Sequence, residues 1–205
     1  MTGSLPFDRP FDRLRAPSEV EGPDEDLFRR FIEGDKAMFE PLVRRYEDPL
    51  FAFLYRMTGN AADAEDAFQE TFLRAFHRRE SFAGRGKLKS WLYAIAVNVV
   101  RSRFRASARA PRTIGLGSAE GDTPREPTAP DAPPNGKLES AEDAERIGGA
   151  VARLPADQRE VLLLRIYQDL SFPEIAAALD RPVGTVKSQM RYALKRLRGA
   201  LQVGA

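Results

Sequence analysis

Ser171-Phe-Pro-Glu-Ile-Ala-Ala-Ala-Leu-Asp-Arg-Pro-Val-Gly-Thr-Val-Lys-Ser-Gln-Met-Arg-Tyr-Ala-Leu-Lys-Arg-Leu197 reads as two short helices joined by a tight turn. Ser171 and Glu174 form a capping box, in which a hydroxyl and a carboxylate satisfy opposite free amides at a helix start. Ile175, Ala176 and Leu179 follow at helical spacing as its buried face. Asp180-Arg-Pro-Val-Gly184 supplies the turn, and a final helix over residues 185–197 puts Val186, Met190, Leu194 and Leu197 inward. This is helix-turn-helix patterning.

The outward side of that last helix carries Lys187, Ser188, Gln189, Arg191 and Tyr192. Arginine and lysine bond guanine edges, glutamine pairs with adenine, and Thr185 near the helix start anchors a phosphate with help from the helix dipole. The plain alternative is a solvated basic face. Upstream, Ile147, Val151 and Leu154 form a helical stripe, Pro155 stands at a helix-starting position, and residues 156–167 make the next helix.

Residues 106–138 are rich in Pro, Gly, Ala, Ser and Asp and lack apolar periodicity, which predicts a flexible linker. The chain therefore divides into a disordered acidic tail (1–26), a helical domain (27–105), the linker (106–138) and the helix-turn-helix domain (139–205). Neither domain sustains strand-like alternation, so the expected fold is all-α, two small helical domains joined by a flexible linker.

In the first domain, Phe39, Leu42, Val43, Tyr46, Leu50, Phe53, Leu54 and Met57 make an apolar stripe. Glu47-Asp48-Pro49 predicts a break into two helices, and Pro41 predicts a late start or a kink. Residues 60–63 open the next helix, with Ala64, Ala67, Phe68, Phe72 and Phe76 inward and Asp63, Glu65, Asp66, Gln69 and Glu70 on an acidic outer face. A further helix over residues 88–105 buries Leu88, Leu92, Ile95, Val99 and Phe104, leaving Lys89, Arg101 and Arg105 to reach a phosphate.

The net charge of +2 averages segregated segments. Acids at Glu19, Glu21, Asp24, Glu25 and Asp26, and again between Glu120 and Glu145, are expected to be solvated. Bases gather over Arg74, Arg78, Arg79, Arg85, Lys87, Lys89, Arg101, Arg103 and Arg105, and again over Arg181, Lys187, Arg191, Lys195, Arg196 and Arg198. Two basic patches suggest two contacts with a polyanion. The absence of cysteine and the lone His77 exclude a thiolate or clustered metal site. No cofactor is expected, no apolar run is long enough to span a membrane, and the first residues are too polar for a secretory signal, which predicts a cytoplasmic protein.

Four stretches carry a family resemblance: Asp63-Ala-Glu-Asp-Ala-Phe-Gln-Glu-Thr-Phe-Leu-Arg-Ala-Phe76, Trp91-Leu-Tyr-Ala-Ile-Ala-Val-Asn98, Leu154-Pro-Ala-Asp-Gln-Arg-Glu-Val-Leu-Leu-Leu-Arg165 and Pro182-Val-Gly-Thr-Val-Lys-Ser188. All four in order resemble the extracytoplasmic-function sigma factors of bacteria. The resemblance implies a protein that binds core RNA polymerase and directs it to particular promoters. It places Asp66, Gln69, Glu70 and Arg74 on the clamp helices of the polymerase largest subunit. It makes residues 81–91 the loop and helix that open the −10 element and hold an unpaired base, implicating Phe82, Arg85, Lys87, Lys89, Trp91, Asn98 and Arg101. Trp91 also suits a core position, and the Asn98 amide suits either DNA or a buried backbone group.

By the same resemblance the final helix reads the −35 element through Arg181, Thr185, Lys187, Ser188, Gln189, Arg191, Tyr192 and Lys195, and its domain docks on the flap of the second-largest subunit. Gln189 and Tyr192 replace the arginines of many relatives, which implies fewer phosphate contacts. The linker would thread the polymerase channel, and an anti-sigma factor is an expected partner. Three rival readings stand beside this one. A stand-alone regulator would bind a specific duplex without polymerase; a decoy would need no basic reading helix; an enzyme would need a nucleophile, histidine pair or phosphate loop that the sequence lacks.

Overall fold

The computed structural model describes residues 23–82, 87–109 and 141–202, and the elements among them are all helical. The first half holds α1 (Asp24–Ile32), α2 (Phe39–Thr58), α3 (Ala61–His77) and α4 (Leu88–Arg109), with single 3-10 turns at Lys36–Met38 and Arg79–Ser81. The second half holds α5 (Ala141–Ala152), α6 (Ala156–Ile166), α7 (Phe172–Leu179) and α8 (Val183–Gln202). The expected linker lies almost wholly outside the described residues, as do residues 1–22 of the expected tail.

The expected break at Glu47-Asp48-Pro49 is absent: α2 runs through Pro49 without interruption. Proline there removes one rung of the helix and costs about 3 kcal/mol. Both flanks are pinned, because Leu42, Tyr46, Leu50, Phe53, Leu54 and Met57 are all buried. Each such side chain contributes roughly 1.5–3 kcal/mol, so the stripe outweighs the ring. Pro41 falls in the first turn of α2, where its missing N–H has no helical acceptor to lose. Gly59 then closes α2 at φ 84°, donating its N–H to the Tyr55 carbonyl at 2.8 Å. Asn60 opens α3 by accepting from the Asp63 N–H, also at 2.8 Å.

The core of the first half is aromatic. Phe28 and Phe31 of α1 meet Phe39, Phe76, Phe82 and Trp91 at centroid separations of 4.7–5.5 Å. The acids at 24–26, expected to be solvated in the tail, instead form the first turn of α1. Asp24 accepts from Arg45 and from the Tyr46 hydroxyl. Burial and that neighbouring carboxylate push the Tyr46 phenol well above its usual range. Glu25 accepts the Leu88 N–H at 3.1 Å, so a carboxylate sixty-three residues upstream serves the start of α4. Phe104, expected inside, is 50% exposed. Thr71, read as neither inside nor outside, is fully buried and donates its hydroxyl to the Ala67 carbonyl at 2.6 Å.

In the second half Pro155 stands at the N-cap of α6, and the Ser171–Glu174 capping box is formed at α7. Asp180, at φ 51°, makes the turn, and α8 begins at Val183, earlier than the spacing predicts. Val186 and Met190 are buried, but the inward place expected for Leu194 belongs to Ala193; Leu194 is 46% exposed. The two halves touch: α7 packs on α4, and α5 and α6 on α2.

Candidate nucleic-acid interface

Three charged faces follow from this framework. On α3, Asp66 and Gln69 are exposed, while Glu70 and Arg74 are partly covered. Arg74 pairs with Glu70 one turn away, and Arg103 reaches over from α4 to Asp66 at 2.6 Å, Glu70 at 3.6 Å and Asp63 at 3.7 Å. The bond to Asp66 raises the Arg103 guanidinium further above its usual range. Arg103 was legible only as one more basic residue; its position between three carboxylates fixes the orientation of the acidic face.

The second face lies at the start and middle of α4. Phe82 packs edge-on against Phe28 and Trp91 at 5.3 and 5.5 Å, so both candidate stacking aromatics are half-buried. Trp91 also meets Phe28 at 5.2 Å, and it packs as a core residue with one side open. Asn98 is exposed. Arg85 and the glycines at 84 and 86 lie outside the described residues. Lys87 is exposed and its Nζ is 3.4 Å from Glu174. Lys89 is half-buried, and desolvation lowers its ammonium below the usual lysine range against the pull of Asp169, Asp24 and Glu174. Arg101 gives Nε and Nη2 to Glu160 at 2.8 and 2.5 Å.

Sequence reasoning missed Glu160. Its side chain is 2% exposed, immediately before the apolar run Val161–Leu164 of α6. A carboxylate at the edge of such a run is a signal only once the run is seen to draw it into the core, where a buried charge needs a cation.

The third face is α8. Thr185, Lys187, Arg191, Tyr192 and Lys195 are exposed along it, and Ser188 and Gln189 are partly covered. The Arg191 guanidinium lies 5.2 Å from the centre of the Tyr192 ring. Arg181, grouped by sequence with these readers, is turned inward: it holds Asp157 at 2.7 Å, Glu160 at 3.4 Å and the Gln189 Oε1 at 3.0 Å. That last bond uses one of the two lone pairs of Gln189 Oε1 and ties the amide to Arg181, so pairing with adenine has to use the remaining lone pair in the orientation Arg181 sets.

A helix-turn-helix whose outer row is basic, following a domain with one acidic and one basic face, is matched in order by two family models. Sigma-70 region 2 matches residues 42–110 and Sigma-70, region 4, matches residues 144–197. The ECF RNA polymerase sigma-E factor of Haemophilus influenzae is 34% identical over 183 residues, 87% of this chain and 95% of that protein. The chain belongs to the extracytoplasmic-function sigma factors.

The sigma factor SigW of Bacillus subtilis is 33% identical over 177 residues, covering 83% of this chain and 92% of its own. Among solved structures, the sigma factor RpoE of Bartonella quintana, determined with the anti-sigma factor NepR, aligns with a TM-score of 0.59 at 29% identity over 76% of this chain and 91% of that one. Like its family, this sigma factor is not an enzyme; it directs RNA polymerase to promoters at transcription initiation. Region 2 takes in α2 to α4 and region 4 begins within α5, so α1 precedes the matched residues. Among the described residues, no helix is long and apolar enough to cross a membrane, and no cluster of His, Asp or Glu is arranged to hold a metal ion.

Proposed function

We propose that this sigma factor, acting in the cytoplasm, divides promoter recognition between its halves and is controlled by an anti-sigma factor. The α3 face, with Asp66, Gln69, Glu70 and Arg74 held in register by Arg103, takes the clamp helices of the largest polymerase subunit. The α4 face takes the −10 element: Lys87, Lys89 and Arg101 on phosphates, Phe82 and the open side of Trp91 beside an unpaired base, Asn98 at a base or sugar edge. Strand opening then needs no catalysis, because stacking a captured base returns about 1–3 kcal/mol and offsets the unstacking of the duplex.

The α8 face takes the −35 element, with Thr185 near the helix N-terminus and Lys195 on phosphates, and Lys187, Ser188, Arg191 and Tyr192 toward base edges. Arg181 acts behind that row as a bracket on Gln189. Residues 106–138 join the halves along the polymerase channel, and the second half docks on the flap of the second-largest subunit. The observation that carries this reading is the exposed basic row of α8 on a correctly capped helix-turn-helix.

Transcription from genomic promoter fragments by purified core polymerase, with and without the protein, tests it. Discrete start sites that depend on the protein are expected, with Lys187→Ala and Arg191→Ala weakening promoters according to their −35 sequence. Specific duplex binding by the chain alone, with no effect on core, would instead support a stand-alone regulator.

A further inference from the structure

Arg181 is anchored at both ends. Its N–H donates to the Ala176 carbonyl at 2.9 Å, directly after Asp180 turns the chain at φ 51°. Its Nη2 meets Asp157 at 2.7 Å and Glu160 at 3.4 Å, and the side chain is 19% exposed. Its Nη1 is left to α8 and donates to the Gln189 Oε1 at 3.0 Å. A guanidinium has five donors and no acceptor, so it can face only the oxygen of an amide. The Gln189 oxygen is therefore turned toward Arg181, and its NH2 group is the end left for another partner.

Gln189 stands one helical turn after Thr185 and one turn before Tyr192, both exposed on the face assigned to the −35 element. The first turns of a recognition helix are those that meet base edges. An unrestrained glutamine pairs with adenine by laying its oxygen and nitrogen side by side along N6 and N7. Here the oxygen already carries a cationic donor, and adenine has to share it in the orientation that Arg181 sets. Guanine asks nothing of that oxygen, because O6 and N7 are both acceptors for the free amide N–H groups. Holding the amide in one orientation also removes side-chain freedom that would otherwise be lost on binding DNA.

We infer that Arg181 is a specificity-determining residue that touches no base: by holding the Gln189 oxygen it makes one position of the −35 element prefer a G·C pair, read at guanine, to an A·T pair. The inference rests on the −35 role proposed for α8 and adds to it the base read at a single position. Arg181 is a positioning residue, acting on the promoter through Gln189.

Transcription by core polymerase with the full chain, from a promoter library randomised across the −35 element, gives the base preference at each position. The position whose preference disappears in Gln189→Ala is the one that Gln189 reads. In the wild type, a G·C pair there is expected to exceed an A·T pair by about tenfold, the size of one good side-chain discrimination. Arg181→Met keeps an unbranched stem without a donor and frees the amide to turn. The preference at that position alone should then fall to about twofold or less, with A·T the gainer. A merely structural role for Arg181 would lower output from all promoters in proportion and leave the ratio standing.

An unchanged ratio in Arg181→Met overturns the inference. So does a wild-type preference for A·T at the Gln189 position, a result that decides the matter even where Arg181→Met does not fold. If Gln189→Ala alters no position while Lys187→Ala and Arg191→Ala do, α8 reads the element without Gln189, and the inference falls alone. If none of these three variants alters the profile, the −35 role of α8 falls and takes the inference with it.

Discussion

Replacing Ser171 with alanine removes a hydroxyl that does two jobs at the first turn of α7. It donates to Glu174 Oε2 at 2.5 Å and accepts the Glu174 N–H at 3.4 Å, while Glu174 separately accepts the Ser171 N–H at 2.8 Å. Loss of an N-cap side chain costs about 1 kcal/mol, and the long 3.4 Å bond argues for the middle of the usual 0.5–2 kcal/mol range rather than its top. The second half comprises about sixty residues. A loss of 1 kcal/mol then lowers its melting midpoint by roughly 4–8 °C if it melts alone, and by about half that if both halves melt together.

Thermal melting followed by circular dichroism reads this shift, and −35 affinity read at a temperature well below the midpoint should be unchanged. An unchanged midpoint for Ser171→Ala would show that the side chain is not a cap. A normal midpoint with lost DNA affinity would show that Ser171 touches DNA rather than ordering α7.

Glu174 is held below its ordinary value of 4.5, first by the Ser171 hydroxyl and then by the Ser171 N–H, with Lys87 adding to both. A depressed carboxylate contributes stability that is complete above its unfolded value and lost as pH falls through the folded value. The stability difference between wild type and Glu174→Gln, which preserves a capping residue, should therefore shrink on acidification below about pH 4.5 in urea titrations. Pro49→Ala should raise the urea midpoint of the first half: removing an interior proline returns about 3 kcal/mol, less roughly 1 kcal/mol for the freedom restored to the unfolded chain, or about 2 kcal/mol net. Asp66→Ala should change stability by less than about 1 kcal/mol, because its pair with Arg103 is exposed, yet weaken core polymerase binding by about tenfold or more in a competition assay.

Local rules carried the sequence furthest where a single side chain decides a backbone event. The Ser171–Glu174 cap, the Asn60 start of α3 and the Pro155 start of α6 were all readable because each acts within four residues of itself. The break at Pro49 was misread for the opposite reason: its local cost is real, but the burial that overrides it comes from α3 and α4, which no window on α2 contains. Leu194 and Ala193 exchanged places because helical spacing gives the period of a stripe and not its edge. The faces on α3 and α8 were legible as charge patterns. Their internal wiring was not, since Arg103, Arg181 and Glu160 act across 24 to 59 residues of sequence and look like ordinary charged residues until the helices are assembled.

Helix α1 bears on how the first half can be dissected. The region 2 match begins at Leu42, and a fragment cut there would discard Leu27, Phe28, Phe31 and Met38, all buried. It would strip the cover from Phe76 and Trp91, take away the hydroxyl-binding carboxylate beside Tyr46, and leave the Leu88 amide without Glu25. Such a fragment would expose a sticky aromatic face next to the very residues whose DNA binding it was made to measure. A boundary at Pro23 keeps all of these contacts, and promoter affinities measured on pieces cut inside α2 would report the injury of the cut rather than the chemistry of the site.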